Sequence, residues 1–338
     1  MIDILAAANA WGRTLKSATT RRAYSLDLGL DRTFTAIQPH ARRGCGWLPW
    51  CDHNSVDPIQ ANTDDFLDWL LAIGRAQFAP GTANRMMSAV SSFYAWLKDN
   101  RYVRENPMRA IRRLECPSPH APQEWSLTTE QAVRLLDAAA AEPRRYLSRT
   151  SAILATLLTT GMRSSELIAL NVRDLRTAGK SKYTYALHIE GARRRRVPLP
   201  RLATELLDNY LMARFGRMPG QIGASDSRKD EPLFATSHGK HIQASTIERT
   251  LYLLGKRAGG DLQARAHELK PTVLRWTAIE LSKADGASFE QIQAMLGEAL
   301  MTKTPAYRLA ATNGDPFAIR GLGGTLLGYI EDRKRVGA

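Results

Sequence analysis

The chain has 338 residues, with 47 Lys and Arg against 33 Asp and Glu, a formal net charge of +14. That length predicts two domains at about 150 residues each, and the ordinary apolar content predicts a core in both. No apolar run approaches the roughly 20 residues of a membrane span, and Asp3 stands where a signal peptide carries positive charge, so neither a membrane protein nor a secreted one is expected.

The charge favours a polyanionic partner, because each phosphate neutralised releases condensed counterions. Residues 17–28, SATTRRAYSLDL, open with Ser and Thr caps before a helical pattern. ARRGCGWLPWCDHNSVDP follows and reads as a loop, rich in Gly, Pro and turn formers. Its Cys45, Cys51 and His53 are not at a standard zinc spacing and lack a fourth ligand, so a solvated loop without metal is expected. Three cysteines, with Cys116 the third, point to a reducing cytosol and not to a disulfide scaffold. TDDFLDWLLAI predicts a helix capped by Thr63, and PGTANRMMSAVSSFYAWLKDN sets Met86, Val90, Phe93 and Leu97 at helical spacing. Residues 1–113 therefore read as a helical domain.

Residues 114–124 carry Pro117, Pro119 and Pro122 with no periodicity, and read as a linker. The arginines just before it suit a DNA backbone. A second domain over 125–320 opens at SLTTEQAVRLLDAA, where Thr128 and Gln131 fit a capping box. SAILATLLTTG predicts a buried helix ending near Gly161, and YTYALHIEGARRRRVPLP predicts a β-hairpin. The class is mainly α with a small β-sheet.

In LLTTGMRSSELIALNVRDL, Arg163 and Glu166 sit between strongly apolar flanks. Arg163 should be partly buried and needs a partner, for which a phosphate is a candidate. This stretch resembles the first arginine box of the tyrosine recombinases, the phage-integrase and Xer-type enzymes. TTRRAYSLDL, GTANRMMSAVSSFYAWL and RENP resemble that family's core-binding domain. HIEGARRRRVPLP resembles its hairpin, and PTVLRWTAIELSKADGASFEQIQAMLGE with TKTPAYRLA resembles its second arginine box and its tyrosine box.

The resemblance decides between two overlapping readings of AHELKPTVLRW, His267 with Lys270 or Thr272 with Arg275. Nine residues before Tyr307 lies Glu298, and eleven before Gly286 lies Arg275, a register without insertion or deletion. The Lys270 register needs five extra residues. The apolar stripes Leu274, Ala278, Leu281 and Phe289, Ile292, Leu296 agree with the first.

The resemblance then implies Tyr307 as nucleophile on a DNA phosphodiester and Arg163 and Arg275 as the clamp on its non-bridging oxygens. Thr272 and Glu298 take the places of the family's two histidines. The hairpin turn holds no lysine, and Arg193 or Arg194 is the nearest substitute. No metal or other cofactor is implied. The implied partners are double-stranded DNA and further copies of the chain, or related recombinases, in a tetramer in the cytoplasm. The tail over 321–338, with Leu326, Leu327 and Ile330, is implied to dock on a neighbouring protomer, having little to bury against in its own chain.

Plainer readings exist for single residues. Tyr307 alone reads as a packing aromatic, the arginine run as a solvated strand edge, Thr272 as a helix N-cap and Glu298 as a surface carboxylate. Loss of both histidines and the lysine also fits a DNA-binding protein with weakened cleavage.

Overall fold

The computed structural model describes residues 3–111, 125–141, 148–179, 183–191, 194–216, 227–297, 315–319 and 322–336. The chain divides into two compact units, Met1–Pro122 and Gln123–Ala338. Among the described residues no helix is long and apolar enough to cross a membrane.

The first unit is built from helices α1 (Ile4–Thr14), α2 (Ala18–Leu28), α3 (Trp47–His53), α4 (Thr63–Arg75) and α5 (Pro80–Asp99). Ser17 caps α2 as its sequence predicts. The cap of α4 is Asn62, in a box with Asp65, and not Thr63. Met86, Val90, Phe93 and Leu97 are all buried on one face of α5.

The stretch expected as a solvated loop contains α3, and this corrects the sequence reading. Trp47, Leu48, Trp50 and Cys51 are buried there. Trp47 stacks on Phe66 with ring centroids 4.2 Å apart, and Trp69 Nε1 donates to the Cys45 carbonyl at 2.9 Å. Burying two indoles outweighs the turn-forming composition that suggested a loop. Both thiols are buried, and burial pushes their titration up. Among the described residues no group of three His, Cys, Asp or Glu is placed to hold a metal.

In the second unit α6 (Thr129–Ala140) carries the Thr128–Gln131 capping box. Helix α7 (Arg149–Thr160) is central and almost wholly buried. Thr156, Thr159 and Thr160 are buried at no polar cost, because each hydroxyl donates to the carbonyl four residues earlier at 2.7, 2.7 and 2.6 Å. After α8 (Ser164–Ala169) come β1 (Leu175–Thr177), β2 (Tyr185–Ile189) and β3 (Arg195–Pro198), an antiparallel sheet of order β1-β2-β3. The hairpin is the one read from sequence, and β1 extends it. Its register pairs Ile189 with Arg195 and Leu187 with Val197.

Helices α9 (Arg201–Phe215), α10 (Ala244–Ala258), α11 (Gly260–Ala264), α12 (Pro271–Ala284), α13 (Phe289–Leu296) and α14 (Gly324–Val336) complete the unit. Helices α9 and α12 pack on α7. Helix α14 packs on α6 and α12 of its own chain, with Leu322 and Leu326 buried in the core and Tyr329 and Ile330 against it. The expectation that this tail has little to bury against in its own chain is therefore corrected. The reason is Asp285, at the end of α12. Its carboxylate takes the Gly323 and Thr325 N–H groups at 2.6 and 2.7 Å and so caps α14 from outside its own segment.

Candidate active site

Three segments of the second unit meet at the end of α7. Gly161 ends that helix in the left-handed conformation, with φ of 59°. A Cβ there would lie 2.7 Å from Leu296 Cδ2 and 3.3 Å from Ala278 Cβ, so only glycine lets α12 and α13 close on this turn. Two residues on, Arg163 starts α8. Its N–H donates to Glu166 Oε2 at 2.8 Å, and its guanidinium lies 3.6 Å from Glu166 Oε1.

Arg275, on the second turn of α12, reaches the same place. Its Nη1 donates to the Gly161 carbonyl and its Nη2 to the Leu296 carbonyl at 3.3 Å. The structure therefore brings Arg163 and Arg275, distant in sequence, to one turn. Both side chains are half-buried, Arg163 with 31% of its side-chain surface exposed.

A third arginine completes the arrangement. Arg195, first residue of β3, has a 7% exposed side chain and grips Glu166 with both Nη atoms, at 2.8 and 2.9 Å. Its Nε donates to the Met295 carbonyl at 2.8 Å. Arg195 and Arg275 thus take consecutive carbonyls at the C-terminus of α13, where cations suit the helix dipole. Gly297 ends α13 with φ of 65°, and a Cβ on it would sit 2.7 Å from Arg195 Nη1. Burial pushes the Glu166 carboxyl up. The Arg195 hydrogen bonds, the Arg163 N–H and both guanidinium charges outweigh burial and hold it below its ordinary value.

Of the residues expected in the site, Arg194 is 81% exposed at the hairpin end, 3.8 Å from the exposed Glu190. Thr272 is exposed on the first turn of α12, but it does not cap the helix. Lys270 is the cap residue and Pro271 the first helical one. Pro271 has no N–H to be satisfied, so the helix starts two residues earlier than a Thr272 cap would set it. His267 lies 73% exposed on the turn before α12, beside Glu268. Tyr307, Glu298 and Arg193 lie outside the described residues.

The sequence reading missed Arg195. Its signal was present: strand side chains alternate, so counting back from the buried Val197 turns Arg195 inward and leaves Arg194 and Arg196 outside.

The phage integrase family matches residues 126–313, more than half of the chain, including every residue of this arrangement. The chain belongs to the phage integrase family. A relative, tyrosine recombinase XerD of Brucella suis biovar 1 (strain 1330), is 32% identical over 71% of this chain and 74% of its own length. Tyrosine recombinase XerC of Roseiflexus castenholzii (strain DSM 13941 / HLO8) is 27% identical over 86% and 83%. Among solved structures, the Tn1549 transposon integrase in complex with transposon right end DNA covers 100% of both chains at 17% identity, with a TM-score of 0.60. That likeness extends the integrase fold over both units.

Proposed function

We propose that this phage-integrase family chain is a site-specific DNA recombinase that cuts and rejoins strands through a 3′-phosphotyrosyl intermediate. The Tyr307 oxygen attacks a backbone phosphorus, the bond to the 5′-oxygen breaks, and a 5′-hydroxyl leaves after taking a proton. Attack by a 5′-hydroxyl then reverses the step and frees the tyrosine. One phosphoester replaces another at each stage, so no metal, nucleotide or other cofactor is required. Arg163 and Arg275 hold the non-bridging oxygens, a task suited to two planar guanidiniums. Thr272 and Glu298 stand in the places of two family histidines, and Arg193 or Arg194 in that of the hairpin lysine. An arginine keeps its proton too firmly to be a strong acid there, but stabilises developing charge.

The observation that carries the reading is the convergence of Arg163 and Arg275 on the Gly161 turn, braced by Arg195 and Glu166. The net charge of +14 supports duplex DNA as partner. The reaction is expected in a cytoplasmic tetramer on two DNA sites. The exposed Thr272 and the lysine-free hairpin favour a second reading, a recombinase-fold DNA-binding protein that assists other recombinases and cleaves weakly.

The test is a nicked duplex carrying a binding site selected from a random pool, on which cleavage traps the covalent adduct. The wild-type chain should form the adduct, and Tyr307→Phe should form none while binding DNA with nearly unchanged affinity. Binding without any adduct from the wild-type chain would select the second reading.

A further inference from the structure

In the first unit, Asp27 of α2 is fully buried, yet it is the shared acceptor of two arginines from separate segments. Arg42 Nε donates to Oδ1 at 2.7 Å, and Arg85 Nη1 donates to Oδ2 and reaches towards the Ala23 carbonyl. The arginine side chains are 24% and 33% exposed. We propose that Asp27 is a buried anchor that presents Arg42 and Arg85 together to a backbone phosphate of duplex DNA. The proposal rests on the DNA-binding reading above and adds a contact surface in the unit that lacks the catalytic residues.

Three observations lead there. The first is charge: one carboxylate against two guanidiniums leaves a net positive site. Among the described residues, the contacts to Asp27 and Ala23 engage only Nε of Arg42 and Nη1 of Arg85. Each guanidinium keeps further N–H donors in a fixed plane, the geometry that grips a phosphate.

The second is backbone cost. Arg42 and Arg43 are both left-handed, with φ of 52° and 54°. For residues with a Cβ this costs about 1–2 kcal/mol each. Arg43 is tied down separately, donating to the Ala76 carbonyl at 2.7 Å with its guanidinium 5.2 Å over the Phe78 ring. The strained pair thus turns one arginine onto α4's end and the other onto Asp27. Strain of this kind persists where it positions a functional group.

The third is the poor return on a buried charge as a mere brace. An apolar cluster of the same volume holds helices together as well or better. Exposed neighbours extend the basic surface, with Arg22 one residue before the Ala23 carbonyl that faces Arg85.

The experiment uses the full chain and a short labelled duplex of arbitrary sequence, with affinity measured across a range of salt. Arg42→Ala and Arg85→Ala should each weaken binding roughly tenfold and flatten the log–log salt slope by about 0.9. Arg42→Lys and Arg85→Lys keep the charge but lose the fork, and should also bind more weakly. Asp27→Asn decides between positioning and bulk charge. It raises the net charge by one, so bulk electrostatics demands tighter binding, whereas loss of the anchor demands weaker binding. Tighter binding by Asp27→Asn, or unchanged affinity and slope in both alanine variants, would overturn the proposal. If Asp27→Asn does not fold, the four arginine variants decide alone. A wild-type chain that does not bind the duplex even at low salt would sink the DNA-binding reading itself, a different failure from normal binding that ignores these arginines.

Discussion

Asp27 in the first unit, fully buried, and Glu166 in the second, half-buried, are carboxylates that each meet two guanidiniums. Their titrations move in opposite directions. Burial pushes Asp27 up against the pull of Arg85 and Arg42, whereas Glu166 is held down despite its burial. The difference lies in the donors. Glu166 receives a two-pronged grip from a 7% exposed arginine and a backbone N–H as well. Asp27 receives single bonds from two arginines that keep a third or a quarter of their surface in solvent. Two guanidiniums near a carboxylate therefore do not define one kind of site. Glu166 sits in a closed brace, and Asp27 in an open one whose arginines retain donors for a ligand.

The largest expected effect breaks the closed brace. Arg195→Ala removes the two-pronged grip on a half-buried Glu166, which keeps only the Arg163 N–H and a guanidinium 3.6 Å away, and should cost about 2–3 kcal/mol in urea denaturation. Arg42→Ala should cost clearly less, since it removes a single hydrogen bond from an arginine that is 24% exposed. Equal losses would show that the two braces are of one kind.

Next is the turn on which the closed brace stands. Gly161→Ala forces a Cβ onto Leu296 in a left-handed backbone, and should destabilise the second unit by about 1–3 kcal/mol. Thermal unfolding of the full chain reads this, and an unshifted midpoint would mean that α13 yields freely.

The pH dependence of stability sharpens the contrast further. Glu166 has its folded pKa below the unfolded value near 4.5, so its contribution is complete above that value and is lost as pH falls through the lowered one. Asp27 has its folded pKa above the unfolded 3.8, so its contribution is complete below that value and is lost as pH rises through the raised one. Urea midpoints between about pH 3 and pH 7 should therefore show a shallower acid-side decline in Glu166→Gln. Asp27→Asn should instead remove a component that falls with rising pH. Parallel changes in both variants would contradict the opposite shifts.

The smallest effects lie at exposed positions. Arg194→Ala should leave stability unchanged, in contrast to its neighbour Arg195. His267→Ala should leave both stability and adduct formation unchanged, because its ring is in solvent on the turn before α12. Loss of the adduct in His267→Ala alone would restore the rejected register of the second arginine box.

The sequence by itself determined the elements whose signals are local. The stripe of α5, the Thr128–Gln131 box and the hairpin need only neighbours within a turn or a strand pair to form. The spacing from Tyr307 back to Arg275 is also a property of the chain alone. Which arginine does what was decided by packing. Arg193, Arg194, Arg195 and Arg196 are equivalent in composition; alternation from Val197 sets Arg195 on the inner face, but that it meets Glu166 there depends on the packing of the sheet, with Val197 paired to Leu187. The same holds for residues 47–53, where a loop-like composition folds as a helix because Phe66, Trp69 and Tyr94 gather around Trp47. It holds again for α14, whose docking depends on a carboxylate at the end of another helix. Local propensity is summed over a few residues, while the burial of an indole or a charge depends on partners that sequence distance does not reveal.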